Sequence, residues 1–530
     1  MDRELFSGVL LAVNNKITYS KLVVSPYMGK GWVGPSMPGA FPTTKASGVN
    51  SMQSGVNRPC YALSLSLSLS LSLLVSSLAV AAPLADGNYP PPPPPGQAVS
   101  VTDSIYGVLR THRSLRGMLE NRQVLEHEVD RAKAGFGPRV DLSGEAGFGQ
   151  LSDSTTRAQD LDKGMHSLVG GSARLVQPIW DGFATRSRVR DAKSTLDSVK
   201  ARVFDTATTL SLDGVIAHID LLRRRSIHEL AERNVAQHKS ILAQARERAE
   251  LGADTAADVS QAQSRLSRAL SSLSEARAAL LVAEDAYVRL TGMPAAAQMA
   301  PVDMPPETFA GPEPVFEEAQ KHNPKLAAYL QDIRAARAQK ELAESAFYPT
   351  FNLEAGPSYT DRGGGSDRWI YSFDVLATMR WNVFNSGADV AEREAASARI
   401  RQARQVMHDF ADDLKLDIES TWINYQAARE QYEHYTEAIE YNEYTRAAYL
   451  EQFQIGQRSL LDVLDAENEL YNSSTQAETA RGNILVGAYR LCALTGNLLP
   501  MLSINTEPLA MNPPEDPEDS REAFAPGWFK

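Results

Sequence analysis

The charged residues with the most telling spacing stand just past two glycines. Arg458, Asp462 and Asp465 follow Gly456, and Asp258 follows Gly252. Asp462 and Asp465 are three residues apart, so on a helix they share one face. Arg458 carries a fork of donors able to hold a carboxylate through two bonds. Such groups can pair charges or gather cations. Bond-making chemistry is not indicated: the chain has no helical His-Glu-x-x-His, no paired-cysteine zinc spacing and no phosphate loop, and its 9 histidines are scattered. A plainer role competes at two of these positions. Thr255-Ala256-Ala257-Asp258 and Ser459-Leu460-Leu461-Asp462 both fit the capping box that starts a helix. Capping therefore accounts for at least part of Asp258 and Asp462. Asp465 lies beyond the cap and is the better candidate for a free charge. No enzyme activity, cofactor or metal is expected.

These residues belong to a repeat. Leu251-Gly252-Ala253-Asp254-Thr255-Ala256-Ala257-Asp258-Val259 is echoed by Ile455-Gly456-Gln457-Arg458-Ser459-Leu460-Leu461-Asp462-Val463, with Gly252 and Gly456 lying 204 residues apart. Thr291-Gly292 returns at Thr495-Gly496, and Trp180-Asp181 at Phe384-Asn385, with the same offset. An unchanged offset over that length means two copies of one structural unit. From Ala184 to Glu250 there is no proline and one glycine, Gly214; from Ala388 to Ile455 there is neither. At about 1.5 Å per residue, each of these helices reaches on the order of 100 Å. That length exceeds any globular core, so each must lie against other helices. The returning helix carries the seam: Val259, Ala262, Leu266, Ala269, Leu273, Ala276, Leu280, Ala283, Tyr287 and Leu290 follow an unbroken 3,4 spacing. Its counterpart keeps Val463, Ala466, Leu470, Ala477, Ala480, Ile484, Leu491 and Leu494, with Ser473 and Gly487 as weak points.

Ahead of each long helix the pattern predicts a helix, Val101 to Ala134 and Val315 to Ala346, then a strand pair. Pro138 and Pro349 lead into strands at Arg139 and Thr350, which are 211 residues apart. Val140, Leu142, Ala146 and Phe148 alternate with Asp141, Ser143, Glu145 and Gly147. Phe351, Leu353, Ala355 and Tyr359 alternate likewise, as do Trp369, Tyr371, Phe373, Val375, Ala377, Met379 and Trp381. One apolar face with aromatics near both ends is what lipid and its interfaces select in a barrel strand. The alternative is a half-buried strand in a soluble sandwich. Lipid does not tolerate open sheet edges, and two strand pairs fall short of the roughly eight strands that close a barrel. Membrane strands here require several chains to share one barrel.

Length and charge set the remaining bounds. A net charge of −12 over 530 residues, without a basic tract, disfavours nucleic acid. No stretch after residue 85 could cross a bilayer as a helix. Near the front, Arg58, the Leu/Ser alternation from Leu63 to Leu73, and Ala79-Val80-Ala81 form a secretory signal cleaved after Ala81; period-2 alternation leaves a β-strand as the alternative. Translation is expected to start near Met52. The expected organisation is 1–51 outside the mature protein, 52–81 signal peptide, 82–100 proline-rich linker, 101–292 first repeat, 293–314 connector, 315–498 second repeat and 499–530 acidic, proline-rich tail. The only cysteines are Cys60 and Cys492, so no disulfide is expected after processing.

Phe453-Gln454-Ile455-Gly456-Gln457-Arg458-Ser459-Leu460-Leu461-Asp462-Val463-Leu464-Asp465-Ala466-Glu467-Asn468-Glu469-Leu470 resembles the TolC family of outer-membrane efflux and secretion channels. Gln177-Pro178-Ile179-Trp180-Asp181-Gly182, Trp381-Asn382-Val383-Phe384-Asn385-Ser386-Gly387 and Tyr489-Arg490-Leu491 with Leu494-Thr495-Gly496 support it. The resemblance spans Val101 to Leu498, and its second signature is most like the type I secretion members. It implies an α+β fold: strand pairs from three copies share a transmembrane β-barrel in the outer membrane, and long coiled-coil helices form a periplasmic α-barrel. It implies an inner-membrane transporter, ABC type favoured, and a periplasmic adaptor as partners, with outer-membrane lipid around the barrel. Cargo would be exported protein, or small molecules if the duct serves drug efflux. It implies that the turns at Gly252 and Gly456 pinch the tunnel shut. A residue matching Arg458 then bonds to the partner hairpin near Asp258, while Asp462 and Asp465 ring the entrance. The family's gate tyrosine falls at Phe453, which lacks the hydroxyl. A periplasmic adaptor is the competing class; two tandem hairpins and strands of barrel length disfavour it.

Overall fold

The first repeat runs α1 (Val101–Thr111), α2 (Arg113–Ala134), β1 (Arg139–Gly149), α3 (Ser154–Ala158), β2 (His166–Trp180), α4 (Ala184–Glu250) and α5 (Ala256–Thr291). The second runs α6 (Pro312–His322), α7 (Pro324–Glu344), β3 (Thr350–Arg362), β4 (Trp369–Arg380), α8 (Ala388–Gln454) and α9 (Leu460–Thr495), followed by α10 (Leu498–Met501). This computed structural model describes residues 89–91, 93–94, 96–150, 152, 154–158, 160, 163–252, 255–305, 309–362 and 369–509. The expected signal peptide, Cys60, the start near Met52 and the acidic tail beyond 509 lie outside the described residues.

Two helices, not one, precede each strand pair. His112 is extended between α1 and α2, and Asn323 between α6 and α7. The second break has a direct cause. A residue before proline is pushed out of the helical region, and Pro324 then serves as the first helical residue. The Asn323 side-chain oxygen accepts from the Lys325 and Leu326 amides at 2.9 and 3.1 Å. Its amide nitrogen donates to the Leu494 carbonyl at 2.9 Å, tying the break to the end of α9.

Among the described residues four strands form one antiparallel sheet in the order β1-β2-β3-β4, leaving β1 and β4 as free edges. The register aligns Val140 with Leu175, Leu175 with Ala355 and Ala355 with Val375, so the apolar sets share one face. Asp141, Arg174, Glu354 and Asp374 fall on the other. On that polar face Ser143, Ser172, Ser358 and Ser372 form one row across the sheet. Ser143 and Ser172 are hydrogen-bonded at 2.7 Å, and Ser358 and Ser372 at 2.9 Å. Among the described residues nothing covers the apolar face in a single copy: Leu142 is 80% exposed and Phe148 78%.

Helices α4 and α8 each have 67 residues, and α5 and α9 each have 36. The hairpins α4/α5 and α8/α9 pack side by side through α4 and α9, with α7 lying between α4 and α8 at the sheet end. Ala262, Leu266, Ala269, Ala276, Ala283 and Tyr287 of the predicted seam are buried, as are Val463, Ala466, Ala477, Ala480 and Leu491. The two weak points are filled rather than faulty. Ser473 is buried, donating to the Glu469 carbonyl and accepting from the Asn442 amide at 2.7 Å. At Gly487 an added Cβ would meet the Tyr425 Cβ at 3.1 Å, so its absence admits that ring.

The ends of the repeats close on one core. Ile105, Val108, Leu115, Val203 and Val215 pack with Leu498, Leu499, Ile504 and Leu509. The body therefore continues past Leu498, where a tail was expected to begin. The linker and connector are also engaged, through a bridge between Val99 and Met299. Buried His218 latches the connector by donating from Nε2 to the Ala300 carbonyl at 3.0 Å. Burial lowers its pKa, and its Nδ1 meets Ser104 Oγ at 2.9 Å.

Candidate functional site: the hairpin tips

The first tip turns at Gly252, whose φ of +77° belongs to the left-handed region that glycine enters without strain. Helix α5 then starts with a complete capping box. The Asp258 amide donates to Thr255 Oγ1 at 3.3 Å, and the Asp258 carboxylate accepts from the Thr255 amide at 3.0 Å and its hydroxyl at 2.6 Å. These bonds from Thr255 hold the Asp258 carboxyl below its ordinary range. The second tip repeats the turn at Gly456, φ +79°. Ser459 Oγ accepts from the Asp462 amide at 3.3 Å and lies 2.9 Å from the Asp462 carboxylate. Capping is thus realised at both aspartates.

Arg458 closes on its own hairpin. Its Nε donates to Gln452 Oε1 at 3.2 Å, its guanidinium lies 4.2 Å from the Tyr449 ring centre, and Nη1 is 3.8 Å from Asp462. Within one chain it does not pair with Asp258. Asp465 is not a free charge either: Arg265 of α5 donates to it at 2.6 Å, joining the two hairpins just above the tips.

The decisive tip contact was not singled out from the sequence. Arg248, in the last turn of α4, donates through Nη1 to the carbonyls of Phe453 and Gln454 at 3.0 and 3.2 Å. These are terminal carbonyls of α8, where the helix end favours a cation; that of Phe453 also accepts from the Gly456 amide at 3.0 Å. The same guanidinium lies 4.6 Å from the centre of the Phe453 ring. Phe453 is 1% exposed, packed with Val235, Leu242, Ala262, Leu266, Leu460 and Leu464. A ring without a hydroxyl suits that place, since a buried hydroxyl needs a partner. A basic residue four positions before the turn glycine was the available signal. Among the described residues, no group of His, Cys, Asp or Glu is arranged to hold a metal ion, and no helix is long and apolar enough to cross a membrane.

The sequence model of the family described as outer membrane efflux protein matches residues 105–293 and 315–497, one match to each repeat. The chain belongs to this family, that of the TolC channels. It is 24% identical over 440 residues to the outer membrane efflux protein BepC of Brucella suis, covering 82% of this chain and 93% of BepC. Identity to the outer membrane protein TolC of Vibrio cholerae is 22% over 401 residues, 72% of this chain and 87% of that one. Among solved structures, CusC superposes with a TM-score of 0.66 at 15% identity, over 76% of this chain and 92% of that one. The efflux-family chain is thus an outer-membrane channel protein that extends into the periplasm, not an enzyme. Channels of this family are homotrimers working with inner-membrane transporters and adaptors in tripartite export systems. In a barrel shared between copies, one face of such a sheet meets lipid and the other the lumen.

Proposed function

We propose that this chain is the passive exit duct of a type I protein secretion system, closed at its periplasmic end by the two hairpin tips. The observation that carries the gate is the thinness of the tip contacts. Beyond the buried Phe453 layer and its Arg248 contact, the two tips are joined by the exposed Arg265–Asp465 pair, while Arg458 bonds only within its own hairpin, to Gln452 and Asp462. Exposed pairs are each worth about 0–1 kcal/mol, so an adaptor and transporter need little work to part them. In the assembled channel, Arg458 exchanges its long contact with Asp462 for Asp258 of a facing hairpin, and Asp462 and Asp465 ring the entrance. Gly252 and Gly456 supply the tight turns.

The cargo is an extended polypeptide delivered by an ABC-type transporter through an adaptor. The second signature, Gly456-x-Arg458-Ser459-Leu460-Leu461-Asp462-Val463-Leu464-Asp465, supports that reading. Small-molecule efflux is the second reading, favoured by the similarity to BepC, which is named an efflux protein. Deleting the gene separates them. Loss of a secreted polypeptide from the medium, with dye and drug tolerance intact, supports secretion. Dye accumulation with an unchanged set of secreted proteins replaces it with efflux.

A further inference from the structure

The contact between the two repeats inside one chain is a template for the contact between two chains. Helix α7 follows α2 by 211 residues (Arg113 to Pro324), as β3 follows β1 (Arg139 to Thr350). Helix α8 follows α4 by 204 residues (Ala184 to Ala388). Within the chain, β2 pairs with β3 so that Leu175 faces Ala355, Val176 faces Glu354, Gln177 faces Leu353 and, past a bulge, Trp180 faces Phe351. The Trp180 ring centre lies 6.0 Å from those of Tyr348 and Phe351. Among the described residues the repeat counterparts of these groups meet no strand on the corresponding side. Phe384, matching Trp180, is 82% exposed, and Val140, matching Phe351, is 62% exposed. They stand on the two free edges: β1 begins beside Val140, and Phe384 lies just past the end of β4.

Resting on the trimeric-channel reading, in which the shared barrel closes where β4 of one copy meets β1 of the next, we propose that this junction takes the register that β2 keeps on β3. Met379 then stands opposite Gly144 of the second copy, Arg380 opposite Ser143, Trp381 opposite Leu142 and Phe384 opposite Val140. Strand β4 is lengthened past Arg380 by this pairing, as β2 runs to Trp180 because β3 is there to meet it. Two observations outside the template agree. The pairing keeps Met379, Trp381 and Phe384 on the same apolar face as Gly144, Leu142 and Val140, whereas a slip of one residue sets Trp381 opposite Ser143. It also sets Arg380 between Asp141 and Glu145 of the second copy, its two diagonal neighbours on the lumen face. Among the described residues, the side chains of Arg380 and Glu145 make no ion pair within their own chain. A slip of two residues in either direction takes one of those carboxylates out of reach.

Cysteine pairs in the full-length channel, oxidised in outer-membrane vesicles, test the register. Residues directly opposite in an antiparallel pair have Cα atoms about 4.5–5.5 Å apart, inside the roughly 4.4–6.8 Å that a disulfide spans. Diagonal neighbours lie roughly 7–8 Å apart and fall outside it. Trp381→Cys with Leu142→Cys is expected to give interchain dimer and trimer bands on non-reducing gels. Trp381→Cys with Gly144→Cys, or with Val140→Cys, should leave monomer, as should Trp381→Cys alone. Gln177→Cys with Leu353→Cys, opposite one another within the chain, controls for oxidation and assembly. Preferential cross-linking of a slipped pair overturns the register. So does an absence of interchain product when the intrachain control forms and the unmodified chain is trimeric by native mass measurement. If the unmodified chain is not trimeric, the channel reading falls first and this register with it.

Discussion

The sheet and the hairpin tips lie at opposite ends of the same pair of 67-residue helices, and they differ in what one copy can satisfy. At the sheet, two edges and an apolar face stay open, with Trp369, Tyr371, Phe373 and Val375 each at least 60% exposed. At the tips, a single copy fills nearly every need: both α5 and α9 are capped, and Arg248 bonds the Phe453 and Gln454 carbonyls at the end of α8. The difference teaches where assembly energy resides. Open sheet edges in lipid are expensive, so copies that join there stay joined. Tips whose bonds are already made inside each copy gain little from meeting, which is what a closure that must reopen needs.

Substitutions can break that contrast, and the largest effect should come from the buried layer behind the tips. Phe453→Ala removes a ring that is 1% exposed and should cost about 3–5 kcal/mol locally. Hydrogen exchange should show α8 and α9 freed near Gly456 while the trimer survives heating as before. If the trimer dissociates instead, the two ends are coupled and the contrast is lost. Next comes the sheet. Val375→Arg places a charge on the apolar face and should cost about 2–4 kcal/mol at mid-membrane depth, lowering the temperature at which the trimer dissociates. Leu376→Arg, one residue on, points to the polar face opposite Glu354 and should be tolerated. Equal damage from both would mean that the two faces are not lipid and lumen.

Legibility in the sequence follows the same divide between local and long-range causes. Helix α4 was bounded at Ala184 and Glu250 as observed, because glycine and an unbroken run without proline are local signals. The aspartate caps were legible for that reason too, each being set by a Ser or Thr three residues away. The break at Asn323-Pro324 is equally local, because proline excludes the residue before it from the helix, and it divides the single helix expected over Val315 to Ala346. Its counterpart at His112 has no proline and no side-chain cap, and is spanned instead by Arg116 donating to the Arg110 carbonyl at 2.8 and 3.2 Å. Arg248 and the Arg265–Asp465 pair could not be assigned partners, since these depend on the stagger between hairpins some 200 residues apart. Ser473 and Gly487 looked like faults in a seam because their partners, Asn442 and Tyr425, sit on another helix.

A smaller effect belongs to the cap of the first tip. Thr255→Ala should cost about 1 kcal/mol, read as faster proteolysis near Gly252. Its sign with pH is fixed by Asp258. A carboxyl whose folded pKa is depressed contributes stability above its ordinary range and loses it as pH falls through the lowered value. The difference between parent and Thr255→Ala should therefore be full at neutral pH and fade in acid. A difference that persists unchanged in acid would mean the cap does not depend on the charged carboxylate.

The smallest effect on stability carries the most functional weight. Arg458 and Asp465 are exposed, and pairs of that kind are worth about 0–1 kcal/mol, so neither Arg458→Ala nor Asp465→Ala should alter trimer stability measurably. Their effect belongs in conductance. In planar bilayers Arg458→Ala should raise single-channel conductance, because threefold repetition of even a weak pair biases a ring of tips toward closure. Asp465→Ala should weaken block by divalent cations added from the periplasmic side, as three converging carboxylates are removed. One rival arrangement is already visible in the chain: Asp465 neutralised by Arg265 at 2.6 Å. If that pair persists in the trimer, Asp465→Ala frees Arg265 and lowers cation conductance, while divalent block is unchanged. That outcome, with an unaltered Arg458→Ala channel, would leave Asp258 and Asp462 as helix caps alone and move the closure of the duct to the Phe453 layer.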